Sequence, residues 1–287
     1  MIQSKATSQL VCIIIYLISF YVSFKILPVT ITNVWLTITI WHIYATLFIY
    51  FFSVLLKNSS LYDPFWSVAP VPIAIYLATQ FENNLSVKLI VLIPIIFWAL
   101  RLTRNWLISW RGFEHEDFRY IDLKNTTKIK SEINNLFEIH IFPTLIVNLG
   151  LLPLLFIFTN KINISFSLIL ASIFTFCAVI LETVADEQMR KFRSDISNKG
   201  KTMRYKLWKY SRHPNYLGEI LFWFGICFMG LSSGFAPIWT LICPITMFAL
   251  FVFVSCPMMD NRSLINRSDY KEYMEKTSSL MLLPPRD

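Results

Sequence analysis

Apolar runs of about twenty residues recur from one end of this chain to the other, and each matches the length a helix needs to cross a bilayer. In hydrocarbon a backbone must satisfy its own hydrogen bonds, so such runs fold as helices packed on one another. Length and breaking residues place them near 10–27, 33–56, 64–80, 87–108, 137–158, 164–184, 216–233 and 235–256. The prediction is an all-α, polytopic membrane helix bundle with about eight transmembrane helices. Composition agrees: 55% of residues are hydrophobic and only 15% charged, where soluble domains average about 25% charged. The first run has the length of a signal-peptide core, but Phe24-Lys25 stands where a small-residue cleavage site belongs, so it reads as a retained anchor.

The basic residues orient this layout. With the N-terminus inside, all of the 26 Lys and Arg except Lys25, Lys88 and Lys161 fall on one side. They cluster between Arg101 and Lys130, between Arg190 and Arg212, and in the tail after Arg262. The positive-inside rule then predicts that both termini and the loops near 109–136 and 186–215 are cytoplasmic. The net charge of +8 is concentrated on that face, which suits anionic lipid headgroups or a phosphate-bearing ligand. No nucleic-acid-binding motif accompanies it.

Five cysteines lie in or at the ends of apolar spans with no CxxC pair, and four histidines are scattered, so neither a metal site nor a disulfide framework is indicated. Seven glycines include no GxGxxG or GxxxxGK spacing; any nucleotide must be held by something other than a glycine-rich turn.

Ionisable groups inside a span cost roughly 2.5–3.5 kcal/mol at mid-depth, so the exceptions are informative. Glu182 and Asp186 are four apart near the end of the sixth span and share one helical face, which Arg190 and Arg193 continue. That is either an ion-pair ladder or part of a site. In Ser211-Arg212-His213-Pro214-Asn215-Tyr216-Leu217-Gly218-Glu219, Pro214 suits the first turn of a helix. Asn215, Gly218 and Glu219 then form one polar stripe entering the membrane. Gly218 leaves room there for a ligand or a second backbone.

Arg212 through Glu219 resembles the C-terminal signature of the steroid 5-alpha-reductase superfamily, and Glu182-x-x-x-Asp186-x-x-x-Arg190-x-x-Arg193 is similar to that family's polar helix end. Tyr62-Asp63-Pro64-Phe65-Trp66-Ser67 and Glu116-Asp117-Phe118-Arg119-Tyr120 resemble one branch of the same superfamily. The resemblance covers roughly 58–285 as one membrane domain and leaves 1–57 as N-terminal transmembrane helices. It implies NADPH bound in the helical bundle by Arg104, Arg111, Glu182, Asp186, Arg193, His213, Asn215, Tyr216 and Glu219. It also implies that Asp63 polarises a substrate carbonyl. Where the family carries the partner tyrosine this chain has Arg101, and Tyr62 beside Asp63 offers another hydroxyl. The implied activity is NAD(P)H-dependent reduction of a carbon–carbon double bond in a steroid-like or other lipid. The RHPxY core is shared with isoprenylcysteine and phospholipid methyltransferases, so S-adenosylmethionine-dependent methylation is the alternative. Non-enzymatic lipid binding is a third.

Overall fold

The computed structural model describes residues 4–27 and 32–286, which contain helices and no strand. Helices α1 (Lys5–Lys25) and α2 (Val34–Leu55) are followed by two short ones, α3 (Phe65–Val68) and α4 (Pro70–Gln80). Next come α5 (Leu85–Ser109) and the short α6 (Phe118–Lys124). The continuous α7 (Lys128–Phe158), α8 (Phe166–Ser194), α9 (Pro214–Ser232) and α10 (Ile238–Asn266) follow, and α11 (Tyr270–Lys276) closes the order. Seven of these, α1, α2, α5 and α7 to α10, are long and apolar enough to cross a membrane. The protein is therefore a polytopic helical membrane protein.

The expected span at 64–80 takes another form. It is divided into α3 and α4, of four and eleven residues. Pro64, Pro70 and Pro72 remove amide donors there, and eleven residues rise only about 16 Å against a hydrocarbon core of about 30 Å.

The chain divides into two compact units, residues 1–82 with 95–159, and residues 83–94 with 160–287. The boundary falls at Pro94, inside α5. In the first unit Ser4 and Asn33 cap α1 and α2 by accepting from the amides of Thr7 and Leu36. Cys12, Tyr16, Ala45, Ile49, Leu61, Phe65 and Trp110 form a buried core. The Tyr16 hydroxyl donates to the Leu61 carbonyl at 2.5 Å, which pins the turn before Asp63 to α1.

In the second unit α8 and α9 pack backbone to backbone. A Cβ at Gly218 would lie 2.7 Å from the Glu182 Cβ and 2.9 Å from the Ala178 carbonyl oxygen. A Cβ at Gly225 would come still closer to Thr175, overlapping its Oγ1 and lying 2.8 Å from its Cβ. The space left by Gly218 is thus filled by the neighbouring helix, one of the two possibilities the sequence leaves open.

Candidate functional site

The first unit carries a polar cluster built on the turn between α2 and α3. The Asn58 side-chain amide donates to the Phe113 carbonyl at 2.8 Å, and the Ser59 amide donates to Glu116 Oε1 at 2.6 Å. The Asp117 amide donates to Ser60 Oγ at 2.8 Å, and Lys124 pairs with Glu116 at 2.5 Å. These bonds hold the loop before α6 against the turn. Asp117 then caps α6 and grips Arg119 with two bonds, 2.8 and 3.1 Å.

That clamp brings two side chains to Asp63. The Tyr120 hydroxyl donates to Asp63 Oδ1 at 2.5 Å, and Arg119 Nη2 stands 3.5 Å from the same oxygen. The Asp63 side chain is only 19% exposed. Burial pushes its carboxyl up to about 6, against the pull of the Arg119 charge and the Tyr120 hydrogen bond. Burial beside Asp63 also raises the Tyr120 hydroxyl well above its ordinary range. The result is an acid that changes protonation near pH 6, touching a tyrosine that keeps its proton.

The expected catalytic set divides here. Asp63 sits in the cluster, but Tyr62 turns away: its ring is 2% exposed and its hydroxyl bonds to Thr144 Oγ1 at 2.8 Å. The physical reason is local geometry, since a residue adjacent in a helical turn points elsewhere, whereas Tyr120 arrives from another helix. Arg101 is buried within α5, at 5% exposure, and the guanidinium beside Asp63 belongs to Arg119 instead. Arg104 and Arg111, also in the first unit, have exposed side chains.

The second unit contains a cavity of about 170 Å³ where the end of α8, the start of α9 and the end of α10 meet. Asp186, Arg193, His213, Asn215 and Tyr216 all line it. Glu182 and Glu219 lie outside its lining, both buried, with Glu219 accepting from the Trp223 indole at 2.8 Å. Residues absent from the sequence-based set complete the wall, notably Arg267, Ser263, Tyr270 and Tyr273.

Asp260 builds this wall. It accepts from Arg212 at 2.8 Å, from His213 Nε2 at 2.9 Å and from the Tyr270 hydroxyl. Arg212 also donates to the Met274 and Thr277 carbonyls, so its guanidinium is committed to structure. The amides of Arg212 and His213 donate to the Ser278 and Ser279 carbonyls, which fastens the tail beside the start of α9. The His213 ring stacks on Tyr216 at 5.2 Å and 9°. Arg193 feels the positive charge of Arg267 and the negative charge of Asp186. Two guanidiniums lining one cavity, with one carboxylate beside them, leave it a net positive wall that suits an anionic ligand.

No group of three or more His, Cys, Asp or Glu that could hold a metal occurs among the described residues. The family model described as "Protein of unknown function (DUF1295)" matches residues 48–277, so the chain belongs to that family. No curated protein and no solved structure matches.

Proposed function

We propose that this DUF1295 protein is an NADPH-dependent reductase of a carbon–carbon double bond conjugated to a carbonyl in a lipophilic substrate. The observation that carries this is the Asp63–Tyr120 pair: a carboxyl raised to about 6, hydrogen-bonded at 2.5 Å to a tyrosine hydroxyl. Such a pair can hold a proton against a carbonyl oxygen and stabilise the charge that develops there. Membrane helices suit a substrate dissolved in lipid, and the four motifs resembling the steroid 5-alpha-reductase superfamily point to the same chemistry. The basic bias of the loops favours a site facing the cytoplasm, with both termini on that side.

The cavity in the second unit tests whether the residues fit a dinucleotide. Ligand pockets typically run about 300–1,000 Å³, so one of about 170 Å³ suits part of a dinucleotide rather than the whole. Its chemistry suits the phosphate-bearing part: Arg193 and Arg267 would pair with phosphate oxygens while Asp186 takes a neutral polar group, Asn215 and Ser263 offer hydrogen bonds, and the His213–Tyr216 stack offers a flat wall. A nicotinamide held by these residues would supply the hydride. Asp63, when protonated, and Tyr120 donate to the substrate oxygen, while Arg119 and Asp117 hold that pair in place.

The test uses the full chain purified in mild detergent. Calorimetry with NADPH, NADH and S-adenosylmethionine should give binding of a nicotinamide nucleotide. Asp63→Asn should leave that binding intact and lower turnover by about 10²–10⁴, the scale of acid–base groups. Tight S-adenosylmethionine binding with none for either nicotinamide would replace the reductase by a methyltransferase.

A further inference from the structure

Within the first unit, α2 and α7 meet along a ladder of buried polar side chains. One rung joins Thr39 Oγ1 to Asn148 Oδ1 at 3.0 Å, and another joins Thr46 and Thr144 at 2.9 Å. The second rung is saturated. Tyr62 bonds to Thr144, Thr144 to Thr46, and the Thr46 hydroxyl donates to the His42 carbonyl at 2.8 Å. His42 lies between the rungs, three residues after Thr39 and four before Thr46, on the same helical face.

The ladder is incomplete at this point. His42 is wholly buried, and both of its ring nitrogens lack a hydrogen-bond partner. Asn148 is 5% exposed, and its side-chain nitrogen also lacks one. A neutral imidazole has one donor and one acceptor, and an amide nitrogen has two donors. Leaving such groups unmet in an apolar interior is costly, and an ionisable side chain inside a span marks a functional site by default. His140 is equally buried, yet its ring is satisfied at both ends, by Ser53 at 3.1 Å and by the Asn135 carbonyl at 2.7 Å.

We infer that His42 and Asn148 form a binding site for an uncharged oxygen, one that accepts from the Asn148 amide and bonds to an imidazole nitrogen. A charged group is disfavoured because no side chain of opposite charge stands in the ladder. Two sources carry this chemistry, a lipid hydroxyl or carbonyl and a buried water. A lipid has room nearby. An apolar cavity of about 390 Å³ is lined by Ile38, one turn before His42, and by Phe20. Phe20 stacks on Phe65 at 5.7 Å, and Phe65 in turn lies 6.0 Å from His42. The site is independent of the reductase proposed above.

A double-mutant cycle on the full chain in detergent tests the inference by thermal unfolding. His42→Phe and Asn148→Leu should each lower the midpoint, because each leaves a bound oxygen short of a partner. The double variant should lose much less than the sum, since with both partners gone the oxygen is no longer required. His42→Gln, which keeps a donor and an acceptor, should stay near wild type and provides the comparison if His42→Phe does not fold. Mass spectrometry of extracted lipids then separates the sources. An oxygenated neutral lipid retained by wild type and lost from the double variant identifies a lipid, whereas coupling with unchanged lipids identifies water. Additive effects, or a midpoint raised by His42→Phe alone, would overturn the site.

Discussion

Asp63 gives a pH dependence whose sign and size follow from its surroundings. Its carboxyl titrates at about 6 in the folded protein against an ordinary 3.8. At about 1.4 kcal/mol per pH unit, this corresponds to about 3 kcal/mol, an upper figure because the side chain keeps 19% exposure. The folded state holds its proton more tightly than the unfolded chain, so between about pH 4 and 6 the native state binds more protons and stability falls as pH rises. The contribution is complete below about 4 and gone above about 6. Asp63→Asn cannot titrate. Its unfolding midpoint relative to wild type should therefore rise across that window, by the equivalent of about 2–3 kcal/mol, and level off beyond it. Parallel thermal melts in detergent from pH 4 to 8 measure the difference directly. A wild-type-minus-variant difference that is flat with pH would refute the raised carboxyl, and with it the proton-donating role assigned to Asp63.

Tyr120→Phe removes a hydrogen bond that favours the charged carboxylate, so the Asp63 transition in the same melts should move to higher pH. Gly218→Ala places a Cβ 2.7 Å from Glu182 Cβ and 2.9 Å from a carbonyl oxygen, contacts that backbone cannot relieve cheaply. It should destabilise by about 1–3 kcal/mol in chemical unfolding. Arg193→Ala and Arg267→Ala should each weaken nucleotide binding and flatten its salt dependence, read by calorimetry at two ionic strengths, because each removes a cation from the cavity wall. Single cysteines placed in the loops near 109–136 and 186–215 should resist impermeant labelling from outside intact cells, and labelling there would reverse the proposed orientation.

The spans are legible in the sequence because lipid imposes a length and a composition on each helix separately, with no knowledge of neighbours required. The exception at 64–80 is also readable in principle: three prolines in nine residues outweigh mean hydropathy as a guide to helix continuity. Helix-local facts of the site are legible for the same reason. Asp186 and Arg193, seven apart, lie on one face of α8, as periodicity predicts, and the packing of α9 beside α8 adds Asn215 and Tyr216 to the same cavity.

What periodicity does not reveal is the partner that arrives from elsewhere in the chain. Adjacency suggests Tyr62 for Asp63, but neighbours in a turn diverge, and the hydroxyl that reaches the carboxyl comes from 57 residues away. The signal is present in Glu116-Asp117-Phe118-Arg119-Tyr120, where each polar residue has its own partner. Glu116 and Asp117 hold the turn, Arg119 stands beside the Asp63 carboxyl, and Tyr120 donates to it. Arg267, Tyr270 and Tyr273 are hidden in the same way, in a polar tail whose position depends on Asp260 and on the backbone bonds from residues 278–279 to the start of α9. A polar motif outside the spans has no lipid to constrain it. Its residues must therefore be matched to unmet charges and hydrogen bonds elsewhere, and a buried carboxyl such as Asp63 is what makes that matching specific.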